Sequence, residues 1–166
     1  DTVDVGSGSS AVAITKNLTG LTAGTLYHYG LVGFNSAGSA NGADSVFSTL
    51  AQPLPTVVTL PADSIGIYSM RFNGTVNPNG DLTKYYFQYI LGSTISYTDT
   101  QTVGSGTSAV AVSKTMTGLY PNGPYSFKLF AFNSAGTASG TLLGASTLPP
   151  PKPLVSTGSP NPIGIT

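Results

Sequence analysis

Residues able to move a proton, hold a metal or attack a carbonyl are scarce in this chain and widely spaced. There is a single histidine, His28, set between Tyr27 and Tyr29. Alternation turns it outward, and a lone imidazole there reads as an exposed strand residue rather than a general base. The acids are Asp1, Asp4, Asp44, Asp63, Asp81 and Asp99, with no glutamate among them. No run of them alternates closely enough to supply calcium with oxygen ligands. Asp81 directly follows Asn79-Gly80, where turn formation explains it. The absence of cysteine excludes disulfides and thiolate metal sites in this stretch. These residue types point away from an enzyme and call for no catalytic residue, no cofactor and no metal.

Two features could instead carry modification or contact. Asn17-Leu18-Thr19 and Asn73-Gly74-Thr75 are Asn-x-Thr sequons, so Asn17 and Asn73 are candidates for N-glycosylation in a secretory system. The other feature is apolar. In the run from Tyr125 to Phe132, alternation places Tyr125, Phe127, Leu129 and Ala131 inward and Lys128, Phe130 and Phe132 outward. The matching earlier run has Gly30, Val32 and Phe34 outward, and Tyr86 faces out from Tyr85-Tyr86-Phe87-Gln88-Tyr89. Tyr86, Phe130, Phe132, Phe34 and Val32 are therefore candidate interaction residues, because exposed apolar patches mark contact surfaces.

The elements that must position these residues are strands. Charged residues make up only 7% of the 166, far below the roughly 25% of an average soluble domain. The polar surface must come from Ser, Thr, Asn and the 21 glycines. Net charge is zero, so no basic stripe exists to bind nucleic acid. No apolar run approaches the roughly 20 residues of a membrane-spanning helix. Val, Thr, Tyr and Phe are abundant, which suits strands and excludes global disorder. Asn79-Gly80, Gly104-Ser105-Gly106, Asn122-Gly123 and Ala135-Gly136 separate the alternating runs and supply the turns.

Internal repetition sets the architecture. Asp1 to Leu50 aligns without a gap on Asp99 to Leu148, an offset of about 98 residues with about half the positions identical. VGSGSSAVAITKNLTGL from Val5 matches VGSGTSAVAVSKTMTGL from Val103, and Ile65-Gly66-Ile67 recurs as Ile163-Gly164-Ile165. Such a period exceeds the 20 to 50 residues of a solenoid unit and equals one whole β-sandwich.

Leu119-Tyr120-Pro121-Asn122-Gly123-Pro124-Tyr125 resembles the Leu-x-Pro-Gly-x-x-Tyr signature of fibronectin type III domains. Leu21-Thr22-Ala23-Gly24-Thr25-Leu26-Tyr27 is its first copy, with Ala23 replacing the proline. Asn35-Ser36-Ala37-Gly38 and Asn133-Ser134-Ala135-Gly136 resemble the family's turn after the sixth strand, F. The resemblance implies tandem all-β sandwiches of strands A to G. It implies a tyrosine corner at Tyr27 and Tyr125 with Leu21 and Leu119, and it leaves Met70 or Phe72 to fill the place of the family's tryptophan. The Arg-Gly-Asp tripeptide of some relatives is absent, since Arg71 is the only arginine.

On this basis 51–148 is one complete domain behind a Pro-rich linker. Strand A is expected near Thr56–Leu60, B near Ser69–Val76, C near Lys84–Leu91 and one edge strand near Ser96–Val103. E follows near Ala109–Met116, F near Tyr125–Asn133 and G near Thr141–Thr147. Residues 1–50 are expected to hold the end of the edge strand with E, F and G of a preceding domain. Residues 149–166 are expected to hold a linker and the first strand of a further one. Neither part can close a sandwich alone, so the expectation is a longer polypeptide or strands given by other copies. The function expected is a structural or interaction module of a repetitive extracellular or cell-surface protein: a filament, stalk or adhesin. Its partners would be neighbouring repeats or other copies of itself. The alternative is a carbohydrate-binding accessory module of a secreted polysaccharide-degrading enzyme, with glycans as partners of the aromatic patch.

Overall fold

The computed structural model describes residues 2–158, and every regular element among them is a strand. The chain separates into two compact units, Asp1–Gln52 and Pro53–Thr166.

The first unit holds four short strands, β1 (Leu26–Tyr29), β2 (Val32–Asn35), β3 (Gly38–Asn41) and β4 (Ser45–Ser48). β1 pairs with β4 and β2 with β3, so they form one hairpin interrupted near Gly30 and Gly42. Gly42 N–H donates to Leu31 O at 2.7 Å across the interruption. The edge strand and strand E expected before residue 26 are not formed: residues 2–25 contain no strand. Strand E needs strand B beside it, and among the described residues this unit has none. Without that partner its backbone groups have no ladder to join.

The second unit is complete. Its strands are β5 (Thr56–Asp63), β6 (Ser69–Asn77), β7 (Thr83–Leu91), β8 (Thr94–Tyr97), β9 (Gln101–Gly104), β10 (Val110–Thr117), β11 (Pro124–Asn133), β12 (Gly136–Ser139) and β13 (Leu143–Ser146). One sheet runs β10-β6-β5 and the other β12-β11-β7-β8, with β13 also on β11 and β9 also on β7. All pairs are antiparallel. In letters this is E-B-A packed on G-F-C with a split edge.

Two expected single strands are each divided, and a threonine hydroxyl explains both. The edge strand breaks between β8 and β9, where Thr98 Oγ1 accepts the Phe87 N–H and Thr98 N–H donates to Phe87 O, both at 2.9 Å. Strand G breaks between β12 and β13. There Gly140 N–H reaches Leu129 O at 2.9 Å, but Leu129 N–H turns to Thr59 Oγ1 of β5 at 3.1 Å. A side chain from the opposite sheet thus replaces one ladder bond. Residues 149–158 form no strand, and 159–166 lie outside the described residues. The expected first strand of a further repeat has no second strand beside it among the described residues.

The core lies between the sheets and comprises Met70, Phe72, Val76, Phe87, Val112, Leu119, Tyr125, Phe127, Leu129 and Ala131. Phe72 is its centre. It stacks on Phe127 with ring centroids 4.2 Å apart and touches Phe87 and Tyr89 at 5.8 and 6.0 Å. Met70 and Phe72 are both fully buried, and the rings of Phe72, Phe87 and Phe127 fill the sandwich without tryptophan.

At Gly74 the two sheets approach closely. A Cβ there would collide with Leu129 Cδ2 and come within 2.7 Å of Val58 O. Gly74→Ala is therefore expected to destabilise the complete domain by about 1–3 kcal/mol through overpacking. Gly106→Ala meets nothing within 4 Å and should be nearly neutral. Urea titrations of the two variants followed by circular dichroism check the contrast.

Candidate functional site

Strand alternation builds an aromatic row on the outer face of the β12-β11-β7-β8 sheet. Because Phe127, Leu129 and Ala131 of β11 are buried inward, Lys128, Phe130 and Phe132 face out. Because Phe87 of β7 is buried, Tyr86 and Gln88 face out. The register sets Phe130 opposite Tyr86, Lys128 opposite Gln88 and Phe132 opposite Lys84. Tyr97 of β8 lies opposite Gln88 and extends the row.

The rings pack on each other. Tyr86 and Phe130 stack with centroids 5.2 Å apart and 11° between their planes. Lys128 Nζ lies 4.6 Å from the Phe130 ring centroid, a cation–π contact. Tyr97 meets Tyr86 in a T-shaped contact at 5.8 Å, and Phe132 lies 6.4 Å from Tyr86. Gln88 Nε2 donates to the Tyr97 hydroxyl at 3.1 Å. Tyr86, Phe130 and Phe132 are half-buried, while Tyr97 is 58% exposed. Stacking covers one face of each of the Tyr86 and Phe130 rings, and Lys128 lies over the Phe130 ring.

Sequence reasoning assembled Tyr86, Phe130 and Phe132 but missed Tyr97. The single edge strand it assumed did not fix which residue lies opposite Gln88. Phe34 and Val32 sit on β2 of the first unit, 68% and 55% exposed. They line a cleft with Val12 and Ile14 of their own unit.

Both tyrosine corners have the same hydrogen bond. The Tyr125 hydroxyl accepts Tyr120 N–H at 2.9 Å, and the Tyr27 hydroxyl accepts Thr22 N–H at 2.8 Å. Their surroundings differ: Tyr125 and Leu119 are buried, whereas Tyr27 and Leu21 are half-buried. His28 faces outward, as alternation requires, and its Nδ1 lies 2.7 Å from Asp44 Oδ2 with both side chains mostly exposed. Asn17 is exposed outside any strand. Asn73 sits in mid-β6, and its Nδ2 donates to Pro61 O at 3.1 Å.

Two aspartates act as staples. Arg71 Nε and Nη2 donate to the two carboxylate oxygens of Asp63 at 2.7 Å each, closing the bulged end of β5 on β6. These bonds, helped by Asn73, hold the Asp63 carboxyl down at about 2. Asp81 Oδ2 accepts both the hydroxyl and the N–H of Ser134, at 2.6 and 2.8 Å, joining the β6–β7 and β11–β12 turns. Its carboxyl is held below the usual range by the same bonds. Among the described residues no group of three or more His, Cys, Asp or Glu could hold a metal ion. No helix among them is long and apolar enough to cross a membrane.

The E-B-A on G-F-C order, with the corner tyrosine at the start of F, defines a fibronectin type III-like β-sandwich. Together with the internal repeat, it makes the chain a stretch of tandem fibronectin type III-like repeats. No protein-family model matches the chain. Over 156 residues, 90% of its length, it is 30% identical to receptor-type tyrosine-protein phosphatase eta of Gallus gallus. It spans only 10% of that relative. Among solved structures it is similar to the sensor domain of the anti-sigma factor RsgI4 of Pseudobacteroides cellulosolvens. That likeness has 21% identity and a TM-score of 0.48, covering 62% of this chain and 98% of the other. It is also similar to the FN1–FN3 domains of chicken CNTN1, at 20% identity and a TM-score of 0.40, over 78% of this chain and 45% of that one. Domains d3–d4 of the rat CD45 extracellular region match at 20% identity and a TM-score of 0.39, over 89% and 75%. At TM-scores below 0.5 these likenesses add nothing to what the chain's own strand order establishes.

Two outcomes follow from the corner and the staple. Tyr125→Phe leaves the partly buried Tyr120 N–H without its acceptor and should cost about 1–3 kcal/mol in urea unfolding. Tyr27→Phe leaves the exposed Thr22 N–H to water and should cost much less. Stability against pH carries the signature of Asp63. Its folded value lies below the ordinary 3.8, so its contribution is complete above about pH 4 and is lost as pH falls through about 2. The midpoint of thermal unfolding should drop across that window, and Asp63→Asn should flatten the drop.

Proposed function

We propose that this chain is a structural and interaction segment of a repetitive extracellular or cell-surface protein, a spacer of the kind found in stalks, filaments or adhesins. The observation that carries the reading is where the chain enters and leaves the complete domain. At entry, Asn133 Nδ2 donates to Pro53 O at 2.9 Å and Asn79 Nδ2 to Leu54 O at 2.7 Å. Asn133 ends β11. At exit, Leu148 O accepts Asn122 N–H at 3.1 Å and Leu148 N–H donates to Gly66 O at 2.9 Å. Asn122 precedes the start of β11. Entry and exit are thus fastened at opposite ends of a ten-residue strand, roughly 30 Å apart at about 3.3 Å per residue.

A unit held in this way lengthens a chain rather than folding it back. The Pro-rich segment Pro149–Pro153 suits a stiff joint beyond such a unit, while Pro53-Leu54-Pro55 is held by the domain it enters. The partners consistent with this are neighbouring repeats or other copies of the chain, meeting head to tail. The paired rings of Tyr86 and Phe130 suit an interaction face more than a sugar platform, because stacking on a sugar needs an open ring face. The carbohydrate-binding alternative therefore has no specific support from this geometry.

Small-angle scattering on the chain and on versions lengthened by further copies of 51–148 tests the spacer. The maximum dimension should rise by about 30 Å or more with each added repeat. A dimension that grows only as the cube root of mass would overturn the reading.

A further inference from the structure

Four Asn-Gly pairs occur in the chain: Asn41-Gly42, Asn73-Gly74, Asn79-Gly80 and Asn122-Gly123. This dipeptide is chemically labile. The glycine nitrogen, on losing its proton to base, can attack the asparagine Cγ. A C–N bond forms, the Cγ–Nδ2 bond breaks and ammonia leaves. Water then opens the cyclic imide to aspartate or isoaspartate. The attack needs a glycine nitrogen free to approach, and glycine, lacking a Cβ, hinders that approach least.

In this fold three of the glycine nitrogens donate outside the main sheet ladders, and the fourth lies within one. Gly42 N–H is bound to Leu31 O at 2.7 Å, Gly80 N–H to Gly106 O at 3.0 Å and Gly123 N–H to Thr147 Oγ1 at 2.9 Å. Gly74 lies buried in mid-β6 with strands on both sides. Asn73 Nδ2 also donates, to Pro61 O within the β5–β6 pair, whereas the Asn79 amide reaches the segment that leads into β5. Asn79 occupies the left-handed region, with φ at 55°, in the β6–β7 turn. Its Nδ2 donates to Leu54 O at 2.7 Å and to Thr56 Oγ1 at 3.1 Å, so this amide fastens the segment that enters the domain.

We infer that Asn79 is a deamidation site held in check by the fold, and that its conversion to aspartate unlatches the entry segment 53–56. The reason lies in the donor inventory: Asn offers N–H donors, whereas an ionised carboxylate only accepts. After conversion, an anionic oxygen faces the Leu54 carbonyl where a donor stood. Thr56 can rotate its hydroxyl to donate, but Leu54 O cannot. The left-handed backbone suits aspartate as well as asparagine, so the change from donor to charged acceptor acts without added backbone strain. The inference is independent of the spacer reading. If that reading also holds, the loosened segment is a joint between repeats.

The test has two parts. The chain is incubated at mildly alkaline pH, folded and in urea, and conversion at each Asn-Gly pair is followed by peptide mass spectrometry. Conversion at Asn79 should be roughly tenfold or more slower in the folded chain, because imide closure must wait for local opening. Equal rates in the two states overturn the protective part. Asn79→Asp, which reproduces the aspartate product, should lower the thermal midpoint and speed hydrogen exchange at Thr56–Val58. Asn122→Asp, with the same charge change in another turn, should leave that exchange unaltered. Asn79→Asp exchanging like the parent at Thr56–Val58 overturns the latch.

Discussion

A strand's backbone is stable only where another strand lies beside it, and that requirement governs the rest of this structure. Ala11–Leu18 and Ala109–Met116 are near copies, AVAITKNL and AVAVSKTM. The second pairs along β6 from Val110 to Thr117 and is regular β. The first has no such neighbour among the described residues and forms no strand. Unpaired backbone polar groups gain nothing from extended geometry that water does not already supply. The F–G hairpin survives in both copies because its two strands are contiguous in sequence. Even so, β11 is ten residues long with β7 on its flank, whereas its counterpart is cut into β1 and β2.

Closure of the sandwich depends on a second requirement, that every buried polar group be satisfied. The break in strand G would orphan Leu129 N–H, and the Thr59 hydroxyl from the opposite sheet supplies the acceptor. No buried side-chain nitrogen or oxygen among the described residues lacks a partner. The low charge of the chain fits the same pattern. Ser, Thr and Asn take over the cross-ties that ion pairs often make elsewhere. Asp63–Arg71 and Asp81–Ser134 are charged exceptions, placed at a strand bulge and a turn contact.

The outer aromatic row is held together by its own packing. Cross-strand partners of this type stabilise a sheet by a few tenths of a kcal/mol to about 1 kcal/mol each. A row of packed rings thus stiffens the sheet. The entry and exit bonds do comparable service for the chain path, fixing where the polypeptide meets the domain.

Much of this was legible in the residues. The repeat is visible from identity alone, and period-two alternation marked the inner and outer faces of Tyr85–Tyr89 and Tyr125–Phe132, because side-chain direction in a strand follows directly from sequence parity. Turn residues located most strand ends for the same local reason. What the sequence could not fix were choices made by partners distant along the chain. Whether the AVAITKNL copy becomes a strand depends on a neighbour it does not encode. The divisions of the edge strand and strand G depend on the hydroxyls of Thr98 and Thr59, and the latter lies 70 residues from Leu129. Likewise, sequence gave the outward parity of Tyr86 and Phe130, but tertiary register set them face to face, because only strand pairing brings β7 and β11 side by side.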